Sequence, residues 1–163
     1  MRQPALRLPA TSQDAPITSH TPDHPLLSEW KQLTREGLAA RRAHCLAHAL
    51  AWYTRALCVA RQLLTHAQDS HAPHERLAAY VTAHLNLADC YADMNQPASA
   101  AECLCRAHYK LMALQDSDAA PQPLRLEAAR LLQSTRAALQ QGRRARSAQA
   151  LHTLHALPNA LMH

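Results

Sequence analysis

An all-α fold of antiparallel helix pairs, about six helices stacked side by side, is what this chain of 163 residues predicts, and three observations carry that expectation. The composition is rich in Ala, Leu and Arg, has no Phe and contains few Val or Ile; β-branched and aromatic residues are what a pleated surface selects, so helix is favoured over sheet. Glycine occurs only at Gly37 and Gly142, so loops must be built on Pro, Asp, Ser and Asn. Apolar residues also recur with helical period in consecutive segments.

The elements follow in order. Residues 1–24 are polar and punctuated by Pro4, Pro9, Pro16 and Pro22, and the expectation is a disordered amino-terminal tail. The helical domain, 25–157, begins at Pro25, whose fixed φ suits a first helical turn. A first pair is predicted over 25–42 and 45–66, followed by "THAQDSHAP", where Asp69, Ser70 and Pro73 supply stop and restart signals. A second pair, 73–94 and 97–115, is split at "MNQPAS", where Asn95 tolerates the turn and Pro97 opens the next helix. After the break "QDSDAAPQP", a third pair is expected over 123–141 and 143–156, divided at Gly142. Pro158 stops the last helix, leaving a short tail at 158–163.

The second helix of each pair shares one spacing. Ala49, Tyr53 and Ala56 follow His44; Ala100, Leu104 and Ala107 follow Asn95; Ser147, Leu151 and Leu154 follow Gly142. Residues at i, i+4 and i+7 form one stripe, and small side chains on it let a neighbouring helix approach closely. Twelve positions earlier in each pair stands a matching small residue: Gly37, Ala88 and Thr135.

With these residues the chain resembles the tetratricopeptide repeat family. The strongest stretch is "LNLADCYADMNQPASAAECLCRA", through Leu87, Ala88, Tyr91, Ala100, Leu104 and Ala107; "HCLAHALAWYTRAL" follows through Leu46, Ala49, Tyr53 and Ala56. The carboxy-terminal unit keeps only Gly142, Ser147 and Leu151, which suits an end cap. Spacing departs from the family, whose repeat is about 34 residues: Ala49 to Ala100 is 51 positions and Ala100 to Ser147 is 47.

The resemblance implies a module that binds a peptide or helix of a partner protein, as adaptor or chaperone, in a concave groove lined by the first helix of each pair. Helical periodicity then names the groove. In the first pair the stripe is Lys31, Arg35, Leu38 and Arg42; in the second Thr82, Asn86, Asp89 and Asp93; in the third Ala129, Gln133, Arg136 and Gln140. Such a groove is basic at one end, acidic in the middle and mildly basic again. Asn86 matches an asparagine with which the family often binds a peptide backbone, and basic residues on consecutive turns suit a partner's carboxylate. Trp30, Trp52, Tyr80 and Tyr109 are expected mostly as core residues, with interface anchors as the alternative.

Charge and cysteines bound the rival classes. Residues 1–124 balance eleven Lys or Arg against eleven Asp or Glu, so the net charge of +5 sits in the last quarter, where six arginines face Glu127. The alternative function is accordingly a nucleic-acid-binding regulator using Arg143, Arg144 and Arg146. Without aromatic interleaving or a helix-turn-helix, nucleic acid is not the expected partner. A His/Cys metal-binding protein is the other alternative, since His44 with His48, His71 with His74 and His152 with His155 stand one turn apart or less. Cys103 and Cys105 point to opposite sides of a helix and no CxxC or HExxH spacing occurs, so neither metal nor cofactor is expected. No glycine-rich loop or nucleophile elbow is present, and the expectation is no enzyme. Five cysteines, no signal-peptide core and no membrane-length apolar run together predict a cytoplasmic protein. The sequence sets no oligomeric state.

Overall fold

A computed structural model describes residues 24–65 and 73–156, with side chains described as far as residue 148. Five helices occur among the described residues: α1 (Pro25–Arg42), α2 (Leu46–Thr65), α3 (Pro73–Asp93), α4 (Pro97–Gln115) and α5 (Gln122–Ala156). The expected tails at 1–24 and 158–163 lie outside that description, His24 excepted, as does the "QDSHA" break.

Consecutive helices pack as antiparallel neighbours, α1 on α2, α2 on α3, α3 on α4 and α4 on α5, while α1 and α5 also flank α3. Thus α3 touches every other helix, and its sequence shows it. Leu77, Val81, Ala83, His84, Leu87 and Cys90 are all buried, giving the helix apolar residues around most of its circumference. The main core gathers Tyr53, Leu57, Leu63, Leu77, Leu87 and Leu111 with Leu131 and Leu132 of α5.

The first two hairpins turn alike. His44 and Asn95 have φ of 58°. After α1, the Cys45 N–H donates to the Ala40 carbonyl (2.9 Å) and the His44 N–H to Arg41 (3.0 Å). After α3, Gln96 donates to Tyr91 (2.8 Å) and Asn95 to Ala92 (3.0 Å). Both are Schellman closures with a non-glycine residue in the left-handed position. Beyond them the predicted small residues meet partners as expected. Gly37 lies against the Tyr53 ring, Ala49 is fully buried, and Ala88 clusters with Ala100 and Leu104.

The third hairpin is a correction. No turn forms at Gly142: α5 runs unbroken from Gln122 to Ala156, no glycine takes a positive φ, and the Ser147 hydroxyl donates back to the Arg143 carbonyl at 3.1 Å. Among the described residues five helices therefore stand where six were expected. Thr135 and Ser147 cannot cross, because both lie on one helix; Thr135 is buried while Ser147 is exposed. The physical reason is that glycine permits a turn without compelling one. "RRARSAQA" after Gly142 consists largely of good helix formers, with no proline to restart a chain that had turned.

Candidate functional site

Two surfaces collect the candidate residues. The first is the face where α1 and α3 lie side by side. Asp89 and Asp93, one turn apart on α3, both reach Arg41 on α1: Nε donates to Asp93 Oδ2 at 2.5 Å and an η-nitrogen to Asp89 Oδ2 at 3.2 Å. Hydrogen bonding to Asp93, more than any other influence, raises the Arg41 pKa above its ordinary value. With Asp89 61 % and Asp93 39 % exposed, solvent screening limits each contact to roughly 0.5–1 kcal/mol.

Arg41 was absent from the predicted stripe, which ran through Arg42. Periodicity placed the two carboxylates together, but not the cation that joins them. Arg42 is exposed and, with Leu38, Arg41, His44, Leu46 and Asp93, lines a cleft of about 470 Å³ at the carboxyl ends of α1 and α3. Arg35 is exposed higher on α1 and donates to Gln32 Oε1 at 2.9 Å. Lys31, Thr82 and Asn86 are half-buried on the same pair of helices.

The third stripe does not join that face. Arg136 and Gln140 border a cleft of about 340 Å³ with His108, Tyr109 and Met112 of α4; Ala129 borders another of about 630 Å³ with Gln115 and Asp116 at the α4–α5 turn. Gln133 is exposed between them. These residues form one wall of a seam between α4 and α5. The seam is pinned at its base, where His108 Nδ1 and Thr135 Oγ1 lie 2.8 Å apart and the Thr135 hydroxyl donates to the Leu132 carbonyl at 3.1 Å.

The aromatic residues divide. Tyr80 is buried, Trp30 and Trp52 half-buried, and Tyr109 is 69 % exposed on the seam. His84, which sequence reasoning passed over, is buried on α3, and neither ring nitrogen has a hydrogen-bond partner among the described residues. The Tyr80 ring meets it edge-on at 4.7 Å. Burial, reinforced by the positive charges of Arg61 and Arg106, lowers the His84 pKa to about 4.

No cluster of three or more His, Cys, Asp or Glu able to hold a metal occurs among the described residues. His44 and His48 are both exposed, and the side chains of His71, His152 and His155 lie outside the described residues. Burial pushes the Cys90 and Cys103 thiols above their ordinary pKa, leaving them protonated and poor nucleophiles. Cys90 instead packs in the core and directs its sulfur toward the Leu46 carbonyl, 3.5 Å away. No helix among the described residues is long and apolar enough to cross a membrane.

No curated protein and no solved structure matches the chain. The family described as "Protein of unknown function (DUF2753)" is matched over residues 28–158. With most of its length inside that match, the chain belongs to the DUF2753 family.

Proposed function

We propose that the protein is a protein-interaction module of helical-repeat kind, similar in arrangement to tetratricopeptide repeat proteins, acting in the cytoplasm as an adaptor or chaperone. It carries no catalytic chemistry of its own in this reading. Support comes from the packing: α1, α3 and α5 lie side by side, and α2 and α4 each rest on two of them. That is the layering of a stack built from helix pairs.

The observation that carries the reading is the cleft at the ends of α1 and α3. Its lip bears Leu38, 39 % exposed, beside Arg42, while Arg41 is already engaged by two carboxylates. A peptide or helix laid along this face would bury an apolar side chain on Leu38. It would offer a carboxylate to Arg42 or Arg35 through charge-assisted hydrogen bonds, with the amide of Asn86 and hydroxyl of Thr82 available to its backbone.

The test selects peptides from a random-sequence display library on the immobilised full chain, then titrates the winners against Leu38→Asp and Arg42→Glu. Each variant should weaken binding about tenfold, roughly the effect of 1.4 kcal/mol, with helicity by circular dichroism unchanged. Winners that bind both variants as tightly as the parent would refute this face as the binding site.

A further inference from the structure

The seam between α4 and α5 is a separate surface, and the geometry points to it as the seat of a helix from a partner protein, apolar on one face and acidic on the other. Four large apolar side chains are exposed among the described residues, and three of them, Tyr109, Met112 and Leu126, border this seam. Such clustering marks an interaction surface where scattered exposure would not. The walls are regular. Cys105, His108, Tyr109 and Met112 of α4 stand at i, i+3, i+4 and i+7, and Arg136, Leu139, Gln140 and Arg143 of α5 repeat that spacing. Two such ridges enclose the kind of groove into which the ridge of a third helix packs. From Arg125 to Arg143 the seam runs about 27 Å at the α-helical rise, enough for five turns of a docked helix.

Charge identifies the occupant. Arg125, Arg136 and Arg143 are spaced along the α5 wall, and Asp116 is the acidic residue among those that line the two clefts. A second copy of this chain is the obvious alternative, because residues 143–156 were expected to return as a sixth helix. That segment opens with Arg143, Arg144 and Arg146, so laying it on the seam sets arginine against arginine. An acidic helix reverses every one of those contacts. The site also has a place in the stack: α2 and α4 each lie against two first helices, whereas among the described residues no further helix follows α5 to pair with it. This last point rests on the repeat arrangement proposed above; the exposed apolar residues and the arginines do not.

The probe is a fluorescein-labelled 18-residue helical peptide, Leu on one face and Glu on the other, titrated by anisotropy into the full chain at physiological salt. Controls are a scrambled peptide of the same composition, a Lys-for-Glu version and a generic DNA duplex. The amphipathic acidic peptide should bind saturably, and at least tenfold more tightly than the scrambled or basic peptide. Arg136→Glu with Arg143→Glu should remove about tenfold or more of that affinity, Tyr109→Ser should also weaken it, and Leu38→Asp should leave it unchanged. The assignment is overturned if no peptide binds, if the scrambled peptide binds equally, or if both seam variants bind like the parent. Equally tight DNA binding, or a concentration-dependent dimer by light scattering that buries the seam, would overturn it in favour of a polyanion or a second copy. Loss on Leu38→Asp alone would return the peptide to the α1–α3 face and refute the seam while leaving the proposed function standing.

Discussion

The two glycines should respond to alanine with opposite signs, and the magnitudes follow from their surroundings. A Cβ built on Gly37 would stand 2.5 Å from Cε1 and 2.6 Å from Cδ1 of Tyr53, where carbon atoms prefer about 3.5–4.0 Å. The ring, or helix α1, must therefore shift by about 1 Å, yet Tyr53 is only 1 % exposed and packed in the core. Overpacking of this kind costs about 1–3 kcal/mol, against a gain of up to about 1 kcal/mol from replacing glycine inside a helix. Gly37→Ala should be destabilising by about 1–2 kcal/mol. At Gly142 nothing lies within 4 Å of the added Cβ, so the helix gain of about 0.5–1 kcal/mol stands alone and Gly142→Ala should stabilise. Urea unfolding followed by circular dichroism reads both as shifts of the midpoint in opposite directions at constant m. A Tyr53→Leu background should shrink the Gly37→Ala penalty, since the two residues are in contact. Gly37→Ala without cost would refute the close approach of α1 to Tyr53. A stability loss in Gly142→Ala would show that α5 does break there.

Two further outcomes are expected. The His84 pKa, lowered in the fold from 6.5 to about 4, means that the unfolded chain binds more protons between those values, so stability should fall as pH drops from about 6.5 to 4, by about 3 kcal/mol at 1.36 kcal/mol per unit. His84→Leu should lose that component, which is read as the difference between the two proteins' urea midpoints across the range; parallel profiles would refute it. His44→Gly should stabilise by up to about 1 kcal/mol, because φ is 58° there and the left-handed position penalises a side chain. Asn95→Gly should gain less, since asparagine tolerates that conformation, and thermal denaturation that reversed the order would contradict the turn geometry.

The first four helices were legible because punctuation and periodicity agreed: Pro25, Pro73 and Pro97 each open an observed helix, and Asn95 takes the turn predicted for it. Gly142 misled because a residue with freedom to turn was read as an instruction to turn, while the helix formers after it contained no stop. In the candidate site, the spacing of Asp89 and Asp93 was visible along one helix. Their partner was not, since Arg41 lies 48 and 52 positions away and one residue's rotation separates it from Arg42. The α5 residues Ala129, Arg136 and Gln140 border α4, where periodicity had set them beside the α1 and α3 stripes, because which side of α5 meets α4 depends on packing around Leu131, Leu132 and Thr135. His84 gave no signal at all: a histidine is buried without partners only when the helices on both sides close over it.

Packing chiefly between consecutive helices also says how the molecule should assemble and come apart. Each hairpin can form from nearby chain without waiting for distant pieces, which favours rapid folding by local growth. In the reverse direction, among the described residues α1 packs only on α2 and α3 and α5 only on α3 and α4, whereas α3 is held from four directions. Unravelling should therefore start at the two margins and reach the middle last, so that amides of α3 exchange their hydrogens most slowly.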